Sequence, residues 1–229
     1  MCARFTQMMT WRAVWELYQL RLPLPKEELR LRYNVAPTQK VAVVRRDPQT
    51  GEREAVRLRW GLIPFWSKDE KIGQKLINAR GETAASKPAF REAFKRRRCI
   101  IPASGFFEWE EIGKQKQPHY IRREDGLPLS FAGLWEHWAP EGHEPLDTFT
   151  ILTTGANEFM ALLHERMPVV LEPEEFRAWL DPETPAARLQ DLLASRPWQG
   201  VRRERVNPIV NSVKNDVPAC VEPVTDSGA

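Results

Sequence analysis

The chain has 229 residues, of which 42% are apolar, including nine Trp and ten Phe; that is ample for a buried core and fits one domain spanning residues 1–229. Its net charge of +3 is modest, although the basic residues are clustered. No apolar run reaches the roughly 18 residues of a membrane span, and the N-terminus lacks the apolar stretch of a signal peptide.

The three cysteines (Cys2, Cys99 and Cys220) stand far apart and form no CxxC pair. With four His in the chain they offer no zinc spacing, and no metal or cofactor is expected. Free thiols fit a reducing, cytoplasmic setting.

The first distinctive stretch is Met1-Cys2-Ala3-Arg4. A small residue after the initiator suits methionine aminopeptidase, and loss of Met1 leaves Cys2 with an α-amine and a thiol on adjacent carbons. That 1,2-aminothiol condenses with an aldehyde to an imine, then closes a five-membered thiazolidine. The two groups titrate near neutrality in free peptides, at roughly 7.7–8.0 and about 8.5, so each is partly nucleophilic.

Next, Thr10 caps a helix with Trp11, Val14, Trp15 and Tyr18 on one face. Residues 41–46 and 53–60 alternate around Asp47-Pro48-Gln49-Thr50-Gly51, a hairpin signal. A polar loop from Ser67 to Gln74 leads to Asn78. Lys87-Pro88 opens a helix with Ala89, Phe90, Ala93 and Phe94 on its apolar face, and its end carries the cations Lys95 to Arg98, which suit a helix C-terminus.

Strands are predicted at 99–103, 105–110, 118–123, 128–135 and 147–154. Residues 156–163 make one or two helical turns before a strand from Pro168 to Leu171. Glu172-Pro173 and Thr184-Pro185 begin two amphipathic helices. A last strand at 201–206 precedes a polar tail from about residue 217. Many short strands among short helices give an α+β class, with a curled, barrel-like, mainly antiparallel sheet.

Seven motifs occur in one order: Met-Cys-x-Arg-Phe at the start, Arg-Tyr-Asn-Val-Ala-Pro at 32–37, Trp-Gly-Leu-Ile-Pro at 60–64, Ile-Asn-Ala-Arg-x-Glu-Thr at 77–83, Gly-Phe-Phe-Glu-Trp at 105–109, His-x-Arg-Met-Pro at 164–168 and Asn-x-Val-Lys-Asn at 211–215. Together they resemble the SOS-response-associated peptidase (SRAP) family of abasic-site processing proteins. The likeness runs from residue 2 to about 216. Ala3 departs from it, because the family usually has Gly there.

The resemblance implies recognition of an abasic site in single-stranded DNA and a thiazolidine crosslink from Cys2 to the open-chain sugar aldehyde, with strand cleavage (lyase) and self-processing (peptidase) as associated activities. Glu108, between Phe107 and Trp109, is the proton shuttle, and His164 holds and protonates the sugar hydroxyl. Asn78 positions the Cys2 amine with its carbonyl oxygen. Arg4, Arg80 and Arg166, each within two residues of a proposed catalytic position, are phosphate donors. Pro37 and Trp66 are candidates to wedge or stack against neighbouring bases. The protein is expected to act as a monomer, nucleoid-associated when bound to DNA.

Two other classes fit an N-terminal cysteine: an amidohydrolase whose α-amine activates its own thiol, and a non-catalytic single-strand binder. No glutamine-type pocket is legible for the first, and the three arginines suit phosphate better.

Overall fold

The fold is that of a computed structural model, described over residues 2–21 and 23–224. The chain runs through β1 (Phe5–Gln7), α1 (Trp11–Tyr18), β2 (Arg32–Val35), β3 (Lys40–Arg46), β4 (Arg53–Trp60), β5 (Asn78–Arg80) and α2 (Gly81–Ala84). α3 (Arg91–Arg96), β6 (Arg98–Ala103), β7 (Gly105–Ile112), β8 (Gln115–Arg123), β9 (Leu129–Trp138) and β10 (Leu146–Gly155) follow. The last elements are α4 (Glu158–Ala161), β11 (Arg166–Pro168), α5 (Phe176–Leu180), α6 (Ala186–Leu193) and β12 (Val201–Arg205).

Strand alternation decides the layering. In β3, Val41 and Val43 face one core while Ala42 and Val44 face another. One sheet is antiparallel, in the order β12-β8-β7-β1-β2. In the other, β10, β4, β3, β6 and β9 pair around a closed ring, with β5 and β11 added alongside β10. The pairings of β10 with β4 and β5 are parallel, and the rest of this sheet is antiparallel. Closure leaves those five strands without a free edge. The architecture is therefore α+β with a barrel-like sheet, as the sequence pattern implies.

The core between the two sheets is rich in aromatics: Phe5, Trp60, Phe106, Phe131 and Phe149. Trp60 lies edge-on to Phe5 at 5.1 Å and stacks on Phe149 at 6.3 Å. On the far face of the closed sheet, helices α1, α3, α5 and α6 cover a second core. A third, smaller core of Phe107, Tyr120, Val206, Val210 and Cys220 backs the other sheet.

Local signals account for much of this. Thr10 caps α1 by accepting from the Ala13 N–H at 3.2 Å, and the 47–51 turn joins β3 to β4. Three short strands, β1, β2 and β5, escape the sequence reading. Each has three or four residues, too few to show alternation; β1 and β5 are held by the longer β7 and β10, and β2 by pairing with β1. The expected polar loop after Ser67 contains a 3-10 turn at Glu70–Lys75. Helix α3 begins at Arg91, later than Lys87, and β11 lies ahead of the expected strand at 168–171. Where a polar tail is expected, Pro218–Val221 forms a 3-10 turn with Cys220 buried, and Pro223 bridges to Val206. Both Met1, with its expected removal, and the end of that tail (225–229) lie outside the described residues.

One buried amide joins the two sheets. β3 and β6 pair at Val44–Ile100 and Arg45–Cys99. Away from those pairs, the Gln7 amide lies between the two strands. Its Nε2 donates to the Ala42 and Pro102 carbonyls at 3.0 and 2.9 Å, and its Oε1 accepts from the Ala42 N–H at 2.9 Å. Replacing Gln7 by Ala strands three buried backbone groups and opens a cavity. Urea unfolding of Gln7→Ala should show a loss of about 2–4 kcal/mol; a change near zero would mean that water or relaxation replaces the amide.

Candidate functional site

β1 carries Cys2 into the protein. It pairs with β7 at Phe5–Phe106 and Thr6–Gly105, and the Phe107 N–H donates to the Arg4 carbonyl at 3.0 Å. On its other side Gly105 packs tightly against β8, where a Cβ would lie 2.6 Å from the Ile121 carbonyl and the Tyr120 ring. Cys2 is fully buried in the intersheet core. Its thiol faces the Arg4 carbonyl at 4.0 Å.

Asn78 meets Cys2 from the closed sheet. β5 runs beside β10, with Asn78 opposite Ile151. The residue before it is held twice: the Ile77 carbonyl accepts from Trp60 Nε1 at 2.8 Å and from the Ile151 N–H at 3.1 Å. Asn78 Nδ2 donates to the Cys2 carbonyl at 2.8 Å. Its Oδ1 is buried without a hydrogen-bond partner among the described residues.

Glu108 completes the group. Along β7, Phe106 faces the intersheet core and Phe107 the opposite one, so period two returns Glu108 to the Cys2 side. Glu108 is only 6% exposed. Burial pushes the Cys2 thiol far above its ordinary range, and the Glu108 charge pushes it further, while positive charge at the N-terminus and the contact with the Arg4 carbonyl act the other way. At neutral pH the buried sulfur is a thiol, not a thiolate.

His164 lies on the other side of β10 from Asn78. β10 pairs with β5 along one edge and with β11, which begins two residues after His164, along the other. His164 Nδ1 accepts from the Arg166 N–H at 2.9 Å. The neutral ring therefore carries its hydrogen on Nε2, directed away from that backbone. No hydrogen bond links His164 to Cys2 among the described residues.

The three arginines differ in how far they are committed. Arg4 donates to Asn34 Oδ1 at 2.9 Å and to the Val210 and Asn211 carbonyls at 3.0 and 3.3 Å, with Trp109 beneath it. Arg166 makes a two-pronged pair with Glu82 and also donates to the Thr153 carbonyl at 2.7 Å. The Arg80 side chain is exposed, and its guanidinium has no hydrogen bond among the described residues.

Pro37 is half-buried in a turn in which Thr38 has φ 74° and donates its N–H to the Trp60 carbonyl at 2.8 Å. Trp66 is 51% exposed and its neighbour Phe65 54%. The loop under them is fixed, since the Ser67 N–H donates to the Pro64 carbonyl and Trp138 Nε1 to the Ser67 carbonyl. Sequence reasoning missed Phe65, although two consecutive aromatics in a turn cannot both turn inward. It also missed Leu162, 67% exposed two residues from His164.

Two motifs prove to hold each other. Asn34 Nδ2 donates to the Val210, Ser212 and Asn215 carbonyls, while the Asp216 carboxylate accepts from Arg32 and from the Tyr33 and Asn34 N–H groups. Residues 32–35 and 210–216 thus form one staple behind Cys2.

A thiol and backbone carbonyl at the second residue, a buried carboxylate and an amide with a spare oxygen converge where two sheets meet. This arrangement makes the surroundings of Cys2 the candidate site. The chain belongs to the SOS response associated peptidase (SRAP) family, whose model matches residues 1–213.

Among its relatives is the abasic site processing protein YoqW of Bacillus subtilis, 43% identical over 97% of this chain and 99% of that one. The abasic site processing protein YedK of Escherichia coli is 33% identical over 98% and 100%. A crystal structure of a Bacteroides thetaiotaomicron protein superposes with a TM-score of 0.85 at 26% identity, covering 98% of this chain and all of that one.

The titration of Cys2 makes a direct prediction. Its raised value puts the thiolate fraction below that of an ordinary cysteine at every pH below its own midpoint. Alkylation of the native protein by iodoacetamide, read by peptide mass spectrometry, should be slow at Cys2 at neutral pH. It should still be rising with pH where an unfolded control has levelled off. A plateau near the free-cysteine value would show the sulfur to be solvated.

Proposed function

We propose that this protein processes abasic sites in single-stranded DNA by crosslinking them to Cys2. The observation that carries the reading is the convergence of Asn78 and Glu108 on Cys2. Once Met1 is removed, the Cys2 amine lies beside the buried Asn78 Oδ1, which accepts one of its hydrogens and aims its lone pair. The amine adds to the C1′ aldehyde of the ring-opened sugar, and the carbinolamine loses water to give an imine. The thiol then adds to the imine carbon, its proton passing by way of Glu108 to the nitrogen. One C–N and one C–S bond form, one water leaves, and no redox partner is needed.

The raised thiol titration supports this order of steps. A protonated sulfur does not compete for the aldehyde, so the amine reacts first and ring closure follows inside the site. The same feature disfavours the amidohydrolase reading, which needs a sulfur activated ahead of substrate.

His164 presents Nε2–H to the sugar hydroxyl, serving ring opening and reversal. The imine also opens a β-elimination route to strand cleavage, and removal of residues ahead of Cys2 is the peptidase part of the same reading. Arg80 is the free phosphate donor, with Phe65 and Trp66 as the stacking pair and Pro37 as a wedge. Arg166 and Arg4 act by holding Glu82 and the 210–211 carbonyls as well as by charge. The protein works as a monomer in the cytoplasm, on the nucleoid when bound.

Incubation with an abasic oligonucleotide followed by denaturing electrophoresis tests the reading. Cys2→Ala should abolish the heat-stable adduct, whereas Cys99→Ala and Cys220→Ala should retain it. Full adduct yield in Cys2→Ala would falsify the assignment. Glu108→Gln should slow single-turnover crosslinking by roughly 10²–10⁴-fold at saturating DNA, with binding to an uncleavable abasic analogue little changed.

For the DNA surface, Arg80→Ala should weaken single-strand binding whatever the sequence. Its salt dependence should flatten by about 0.7 in log–log slope. Equal affinity and slope in wild type and variant would remove Arg80 from the interface.

A further inference from the structure

A second cationic site lies on the helix-covered side of the closed sheet, away from Cys2. α1 ends at Gln19, whose left-handed backbone (φ 50°) turns the chain back. The Arg21 N–H then donates to the Arg53 carbonyl at 3.1 Å, laying Arg21 along the start of β4. In the β3–β4 register Arg46 stands directly opposite Arg53, and α5 brings Arg177 to the same place. A cleft of about 420 Å³ opens among these four arginines.

The charges there are not balanced. Glu52 and Asp181 are the carboxylates lining the cleft, and Asp181 lies 3.6 Å from Arg46. Arg21, Arg53 and Arg177 make no ion pair among the described residues. Arg53 is half-buried and fixed, donating to the Tyr18 carbonyl at 3.0 Å. Its burial, and then the charges of Arg177 and Arg21, make its own charge less favourable than usual. Like charges placed opposite each other across a strand pair are destabilising. A bound anion relieves that repulsion, and guanidinium forks match phosphate oxygens in a bidentate way.

We propose that the cleft bounded by Arg21, Arg46, Arg53 and Arg177 is a phosphate-binding site separate from the Cys2 site. β4 joins the two. It starts at Arg53 and ends at Trp60, which packs in the Cys2 core, so the sites lie roughly 23 Å apart along the strand. The phosphate has two possible sources: the backbone of a DNA strand continuing past the lesion, or a free phosphate or nucleotide.

The double substitution Arg21→Ser/Arg177→Ser tests this, because both side chains are exposed and Arg53 is left in place. Thermal unfolding is followed with inorganic phosphate and, separately, with sodium chloride at matched ionic strength. Binding is followed with a short and a long single-stranded oligonucleotide carrying an uncleavable abasic analogue. Phosphate should raise the Tm of the wild type beyond the chloride control and should not do so for the variant.

If the source is DNA, the variant loses affinity several-fold for the long oligonucleotide alone, with a salt slope lower by about 0.7 for each lost contact. If the source is free phosphate, both oligonucleotides bind as before. Equal phosphate stabilisation and equal binding of the long oligonucleotide in the two proteins would overturn the proposal. Crosslinking of the short oligonucleotide, measured in parallel, reports on the Cys2 reading independently.

Discussion

Everything at the Cys2 site depends on a three-residue strand pairing into the interior of a sheet. β1 lies between β7 and β2, so the first residues of the chain are hydrogen-bonded on both sides. Chain ends usually fray, because little holds them. Here Phe5 packs against Trp60 and Phe131, and the Gln7 amide ties the strand to both β3 and β6. The ordering entropy of about 1–2 kcal/mol per residue is offset by burial of large aromatics. The outcome is a cysteine near the start of the chain that is buried as fully as any core residue.

Electrostatics then set what that residue can do. Burial and the nearby Glu108 charge both push the Cys2 thiol above its ordinary range. Asn78 Nδ2 holds the Cys2 carbonyl, and its Oδ1 is buried without a hydrogen-bond partner among the described residues. Trp60 holds the carbonyl of Ile77, the residue before Asn78, which links the 60–64 and 77–83 motifs physically.

The α+β class, the barrel-like sheet, α1 with its Thr10 cap and the β3–β4 hairpin were legible because their signals are local. β1, β2 and β5 were not, since three or four residues carry no period and their pairing partners lie far along the sequence. The residues named for the site were chosen chiefly through the order of motifs. Pattern alone said little about what each side chain does. Arg4 and Arg166 look like free cations in sequence, yet both are engaged by acceptors that only the tertiary structure brings near. Conversely, the function of Asn34 and Asp216 as a staple needs both ends of the chain in view at once.

That staple has a consequence during synthesis. Arg4 and Asn34 find their acceptors at residues 210–216, and β1 finds its central partner only once residues 105–107 exist. At about 5–20 residues per second, the ribosome takes several seconds to supply β7 and roughly as long again to supply the staple. Until β7 exists the start of the chain lacks its central sheet partner, and until residues 210–216 exist it lacks the staple. The first described residues are therefore fully tied down only once residues 210–216 have been made.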